Sequence, residues 1–103
     1  MTPLAALGIL GSILQAVLPL IAEAPHAGAE ARLRPLLDRY CQVAFSFSAR
    51  QRALVRTVWD VKLAEISAEA RAVVVDRTRP LQYAASRHDC ERDVADILVE
   101  LDR

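Results

Sequence analysis

The sequence predicts a mainly α fold: one apolar N-terminal helix followed by a small helical bundle. Three observations carry this. The chain's 103 residues are 53% hydrophobic, yet only 5% are aromatic, so the apolar volume is Leu, Val, Ile and Ala, which suit closely packed helices better than a sheet sandwich. Its three Gly all lie before position 29, at Gly8, Gly11 and Gly28, so the rest lacks the punctuation of a turn-rich β protein. Finally, Thr2 to Ala22 carries no charged side chain, whereas all 13 basic and all 13 acidic residues fall between Glu23 and Arg103. Residues 1–24 are therefore read as an apolar helix, 25–28 as a connector and 29–103 as a small helical domain.

A run as apolar as Pro3–Ala22 must be hidden in a bilayer, a protein core or a partner. Twenty helical residues span roughly 30 Å, the thickness of a hydrocarbon core. A signal peptide fits less well, because no Lys or Arg occurs in the first 31 residues and Pro25 would follow a cut after the small-x-small site Ala22–Ala24. On this otherwise greasy cylinder, Gly8, Ser12, Gln15 and Pro19 recur at helical spacing as one small or polar stripe. A lipid-facing anchor has no need of such a stripe. A helix that packs against another does, since small residues let backbones approach and Gln15 can hydrogen-bond across the contact. Gly8, Ser12 and Gln15 are thus the expected helix-packing interface.

Pro25 to Gly28 reads as a break. A helical pattern then places Leu33, Leu36, Leu37, Tyr40 and Val43 or Ala44 on one side, with Pro35 suited to the first turn of a fresh helix. Cys41, Val43, Phe45 and Phe47 alternate with polar or small residues, so a short sheet from 40–48 and 55–63 is the α+β alternative. Ser48 with Gln51 has the layout of a capping box. Ser48 to about Val75 contains no Gly or Pro and reads as one long helix, with Leu54, Val58, Val61, Ala64 or Glu65, Ala68, Ala72 and Val75 as its apolar face. Trp59 is its expected core anchor. Arg79-Pro80 should end it, because the residue before Pro avoids helical angles. A short segment, Leu81–Ser86, follows, and Asp89 is positioned to cap a last helix with Val94, Ile97, Leu98 and Leu101 as its stripe.

Charge is balanced overall but uneven locally. Arg32, Arg34, Arg39, Arg50, Arg52 and Arg56 face a single acid, Asp38, across Arg32–Arg56, while Asp89–Arg103 holds six acids against two Arg. Either opposite faces of a bundle neutralise each other, or the arginines form a basic collar for anionic lipid or a partner. The use of twelve Arg against one Lys reads as genome composition and adds no mechanism. The acidic last helix and the missing turn Gly argue against a DNA-binding helix-turn-helix after Ser48, so nucleic acid is not an expected partner.

Nothing in the chain has the pattern of a catalytic or metal site. Ser86, His88, Asp89 and Cys90 contain a base and a nucleophile, but His88 and Cys90 point to different helix faces and no oxyanion loop is near. His26 lies outside the apolar segment, so haem ligation is not expected, and no cofactor is. Cys41 and Cys90 lack a CxxC or Cys/His neighbourhood. Free, partly buried thiols are the expectation, with a disulfide between two helices as the alternative, which would require an oxidising compartment. The division into one segment that fits lipid and another that fits water suggests a non-catalytic, membrane-associated subunit that docks onto partner proteins. With no cation before the apolar helix and Arg32, Arg34 and Arg39 after it, its C-terminal domain would be cytoplasmic. The alternative is a soluble, cytoplasmic interaction module, an inhibitor or adaptor, in which the N-terminal helix is the core or an oligomer seam.

Overall fold

The computed structural model describes residues 2–102, so Met1 and Arg103, the outer limits of the expected segments, lie outside the described residues. These residues form five helices: α1 (Pro3–Glu23), α2 (Ala29–Ala44), α3 (Ala53–Ala64), α4 (Ala68–Gln82) and α5 (Arg87–Leu101). A single 3-10 turn, Ala49–Gln51, precedes α3.

The α1 helix starts where Thr2 Oγ1 accepts from the Ala5 amide at 3.2 Å, with Pro3 in the first turn. Ala6, Leu10, Ile13, Leu14, Val17, Leu18 and Ile21 recur at helical spacing and are buried. That face packs on α2, α3 and α4, which makes α1 the central helix of the bundle. α5 closes the far side against α2 and α4. Pro19 lies on the exposed side of α1, where water can satisfy the carbonyl it leaves unpaired.

The end of α1 is held by α4. Arg77 Nη1 donates to the carbonyl oxygens of Ile21, at 2.7 Å, and Ala24, so a cation satisfies the last carbonyls where the helix dipole is negative. The connector contains a cis Ala24–Pro25 bond and Gly28 at φ 85°, a left-handed angle that Gly adopts without steric cost. The end of α5 ties this connector down: the His26 amide donates to Leu101 O and the Glu30 amide to Asp102 Oδ1, at 3.1 and 3.0 Å.

The helices differ from expectation in several places. Pro35 lies inside α2, not at the start of a new helix; both Pro35 and Ala31, whose carbonyl loses its donor, are exposed. No strand forms among the described residues, so the α+β alternative is overturned. Tyr40, Cys41, Val43 and Ala44 are buried within α2 and Phe47 in the turn after it, so the alternation seen from Cys41 to Phe47 is the end of α2 running into a turn. The Ser48–Gln51 capping box is present, and it opens the 3-10 turn that leads into α3.

Ser48 to Val75 is not one helix. α3 ends at Ala64, and Ser67 begins α4 by accepting from the Ala70 amide at 3.2 Å. Arg71 reaches back from α4 and donates to the carbonyls of Leu63, Ala64 and Ile66, closing the end of α3 without Gly or Pro. The turn lets α4 bury Val74, Thr78 and Leu81 against α1 and α5. The helix then continues through Pro80 to Gln82, because the carbonyl that Pro80 would have served belongs to exposed Asp76. Leu81 and Gln82 therefore belong to α4, and the expected separate segment from Leu81 to Ser86 does not form. Ser86, not Asp89, caps α5, its hydroxyl accepting from the Asp89 amide at 3.1 Å. The α5 stripe of Val94, Ile97, Leu98 and Leu101 is buried as the sequence indicated.

The thiols are not free. Cys41 on α2 and Cys90 on α5 form a disulfide, with Cα atoms 5.9 Å apart and both residues fully buried. The two Cys sit on the core-facing stripes of their helices, and packing α2 on α5 brings them together.

Candidate interaction face

Trp59 is fully buried and is the largest side chain in the core. Its Nε1–H donates to the Tyr40 hydroxyl at 2.8 Å, and the two rings meet edge to face with centroids 5.6 Å apart. Burial pushes the Tyr40 hydroxyl pKa up to about 12, although the hydrogen bond from Trp59 pulls it the other way.

The α3 residues that accompany Trp59 into the core are Val55 and Leu63. They lie beside the stripe that the sequence pattern assigned to the core. Leu54 and Val61 stay exposed, Val61 at 52%, and Val58 is half-buried. Val58 and Val61 flank α1 on one side. Gly8, Ser12 and Gln15 are all exposed along the middle of the same surface, and Leu36 and Arg39 of α2 flank the other side.

The small residues of α1 lower the surface along its axis and leave a depression on each side. The one toward α2, about 420 Å³, has Ala5, Ile9 and Ile13 on α1 and Leu36 and Arg39 on α2. The one toward α3, about 300 Å³, runs from Leu7 and Gly11 to Val58, Val61 and Lys62. Gly8 and Ser12 line both. Neither depression is lined by a carboxylate, and their cations are Arg39 and Lys62. Lys62 Nζ donates to Gln15 Oε1 and Glu65 Oε2, both at 3.3 Å.

The two glycines of α1 have different surroundings. A Cβ on buried Gly11 would make ordinary contact with the end of the Lys62 side chain, 3.4 Å from Cε. A Cβ on Gly8 would meet nothing within 4 Å. Gly inside a helix costs about 0.5–1 kcal/mol relative to Ala, and no contact among the described residues accounts for that cost at Gly8.

The arginines do not make one collar. Arg32 and Arg39 are exposed on α2, Arg39 beside the Gly8 surface. Arg34 pairs with Glu30 at 2.6 Å, next to Asp102 and the end of α5, and this hydrogen bond raises its guanidinium pKa. Arg50 is exposed on the 3-10 turn. Arg52 and Arg56 fold back onto aromatic rings at the start of α3.

Ser86, His88, Asp89 and Cys90 do not assemble a reactive centre: Ser86 caps α5, His88 is exposed and Cys90 is bonded to Cys41. His26 Nδ1 lies 3.3 Å from the Ala27 carbonyl in the connector. Sequence reasoning missed the part that Val58 and Val61 play on this face, and the signal was available: two apolar stripes one position apart on α3, of which the core uses one. No family model, curated protein sequence or solved structure matches the chain.

Proposed function

We propose that the protein is a non-catalytic helical interaction module whose docking surface is the open face of α1. Its partner is an amphipathic helix with an apolar ridge flanked by carboxylates. The observation that carries this reading is Gly8: a mid-helix glycine with no intrachain reason, on an apolar surface between two depressions. A second helix crossing there could approach closely only because Gly8 and Ser12 are small. Val58, Val61 and Leu36 supply apolar contact on either side, and exposed Arg39 supplies the charge that selects acidic flanks.

Two synthetic helices with the same Leu ridge test this, one flanked by Glu and the other by Lys. The Glu-flanked helix should bind saturably, more weakly at high salt, and Gly8→Leu or Arg39→Glu should abolish binding without lowering thermal stability, Gly8→Leu raising it slightly as helix propensity is recovered. Equal binding of both peptides, or full binding by Gly8→Leu, would reject the proposal.

One observation favours a second reading, a membrane-associated subunit. α1 is 21 residues long, uncharged before Glu23, and only 39% of its most apolar window is buried in the bundle. Inserting it would strip Leu10, Leu14, Val17, Leu18 and Ile21 from the core and expose Leu33, Leu37 and Trp59, at roughly 1.5–3 kcal/mol for each large side chain. That cost favours α1 in the core. Flotation with anionic vesicles in the absence of detergent would establish the membrane reading in its place.

A further inference from the structure

A second recess, separate from the α1 face, lies between the end of α2, the first turn of α3 and the end of α4. Its volume is about 110 Å³. Buried Tyr40, Val55 and Leu81 form its apolar wall. Arg52, just before α3, and Arg56, four residues on within it, also line it.

Both arginines are held by aromatic rings. The Arg52 guanidinium carbon lies 4.8 Å from the centroid of Phe45, and that of Arg56 lies 4.1 Å from the centroid of Tyr83. A cation over a ring face keeps N–H groups to donate elsewhere. Arg52 spends Nη1 on the Ala85 carbonyl at 3.3 Å. Its Nε–H is buried and has no partner among the described residues. Neither arginine has a carboxylate within ion-pair distance among the described residues, and none lines the recess. Two cations beside an apolar wall, with no carboxylate among the lining residues, make a site that an anion completes.

The shape narrows the anion. Arginine forks match a carboxylate in the plane of their N–H groups. Inorganic phosphate would press unpaired oxygens against Val55 and Leu81, whereas an organic acid would set hydrocarbon there. An apolar cavity of about 150 Å³ takes benzene, so the smaller recess suits a short aliphatic stem. We propose that this recess binds a small organic monocarboxylate, its carboxylate on Arg52 and Arg56 and its stem against Tyr40 and Leu81. The inference does not depend on the α1 face.

The protein carries its own reporter, since Trp59 is its only Trp and donates to Tyr40 on the recess wall. Butyrate titrated into the intact protein should change Trp59 emission saturably and shift the amide resonances of Val55, Leu81 and Ala84. Butyramide, the neutral counterpart, should not, and inorganic phosphate should bind more weakly than butyrate. Arg52→Gln and Arg56→Lys should each weaken butyrate about tenfold or more, whereas Arg50→Gln should leave it unchanged. Because Arg56→Lys keeps the charge and removes only the fork, it tests the geometry without burdening the fold. Absence of saturable binding, equal affinity for butyramide, phosphate binding as tightly as butyrate, or indifference to both substitutions would each overturn the proposal.

Discussion

Reducing the Cys41–Cys90 bond is the perturbation with the largest expected effect on this chain. The two residues are 49 apart in sequence, and cross-linking a loop of that length removes roughly 4 kcal/mol of conformational freedom from the unfolded chain at room temperature. In the folded chain both side chains are fully buried where α2 packs on α5. Their Cα separation of 5.9 Å is that of ordinary disulfides, so the backbone need not shift to accommodate the bond. A domain of this size is stable by about 5–15 kcal/mol, so the bond supplies a large share. At about 4–8 °C per kcal/mol, reduction should lower the melting temperature by roughly 15–30 °C. Helical circular dichroism followed with and without reductant measures this, and thiol titration in denaturant reports whether the bond is formed. Cys41→Ala/Cys90→Ala should behave like the reduced protein, with a modest further cost for the lost volume. A reduced protein that melts within about 3 °C of the oxidised one would refute the argument.

Two further effects follow from single side chains. With the Tyr40 hydroxyl held near pKa 12 in the fold and at 10.0 when unfolded, its stabilisation is complete below pH 10 and is lost between pH 10 and 12. That loss is roughly 2–3 kcal/mol; Tyr40→Phe should flatten this alkaline decline, and equal slopes in denaturant titrations at several pH values would contradict it. Arg77→Met removes the donor to Ile21 and Ala24 and should cost about 1.5–3 kcal/mol, with faster hydrogen exchange at the end of α1 and the connector; unchanged exchange there would show that the carbonyls need no such partner.

Where the sequence could be read, the information was local. The break at Pro25–Gly28, the Ser48–Gln51 cap, the buried Trp59 and the stripe of α5 each depend on residues a few positions apart. The turn between α3 and α4 was hidden because its closing group, Arg71, comes from the next helix and acts through three backbone carbonyls. The prolines misled for a related reason. Pro35 and Pro80 each remove one helical hydrogen bond, but on exposed sides of α2 and α4, so packing on the opposite sides carries both helices through. The disulfide was open in the sequence because spacing alone does not say whether two helices pack side by side.

The fate of α1 was open for a deeper reason. Leu, Ile, Val and Ala leave water equally well for lipid or for a protein core, so hydropathy counts only what must be hidden. What decides is the apolar surface elsewhere in the chain available to cover it. α2 offers Leu33 and Leu37, α3 offers Trp59 and Leu63, and α4 offers Val74 and Leu81, all buried in the core that α1 shares. These residues sit on three amphipathic helices whose other faces carry Arg, Asp and Glu, and such helices need an apolar partner as much as α1 needs them. The same reasoning explains the face left over. Three helices cover one side of α1, and the side they leave open is where Gly8, Ser12, Gln15 and Pro19 stand. Small and polar residues make that side cheap to expose in the free chain, while Gly8 gives up helical stability that the bundle does not return. The helix proposed to dock on this face would recover that stability at the contact.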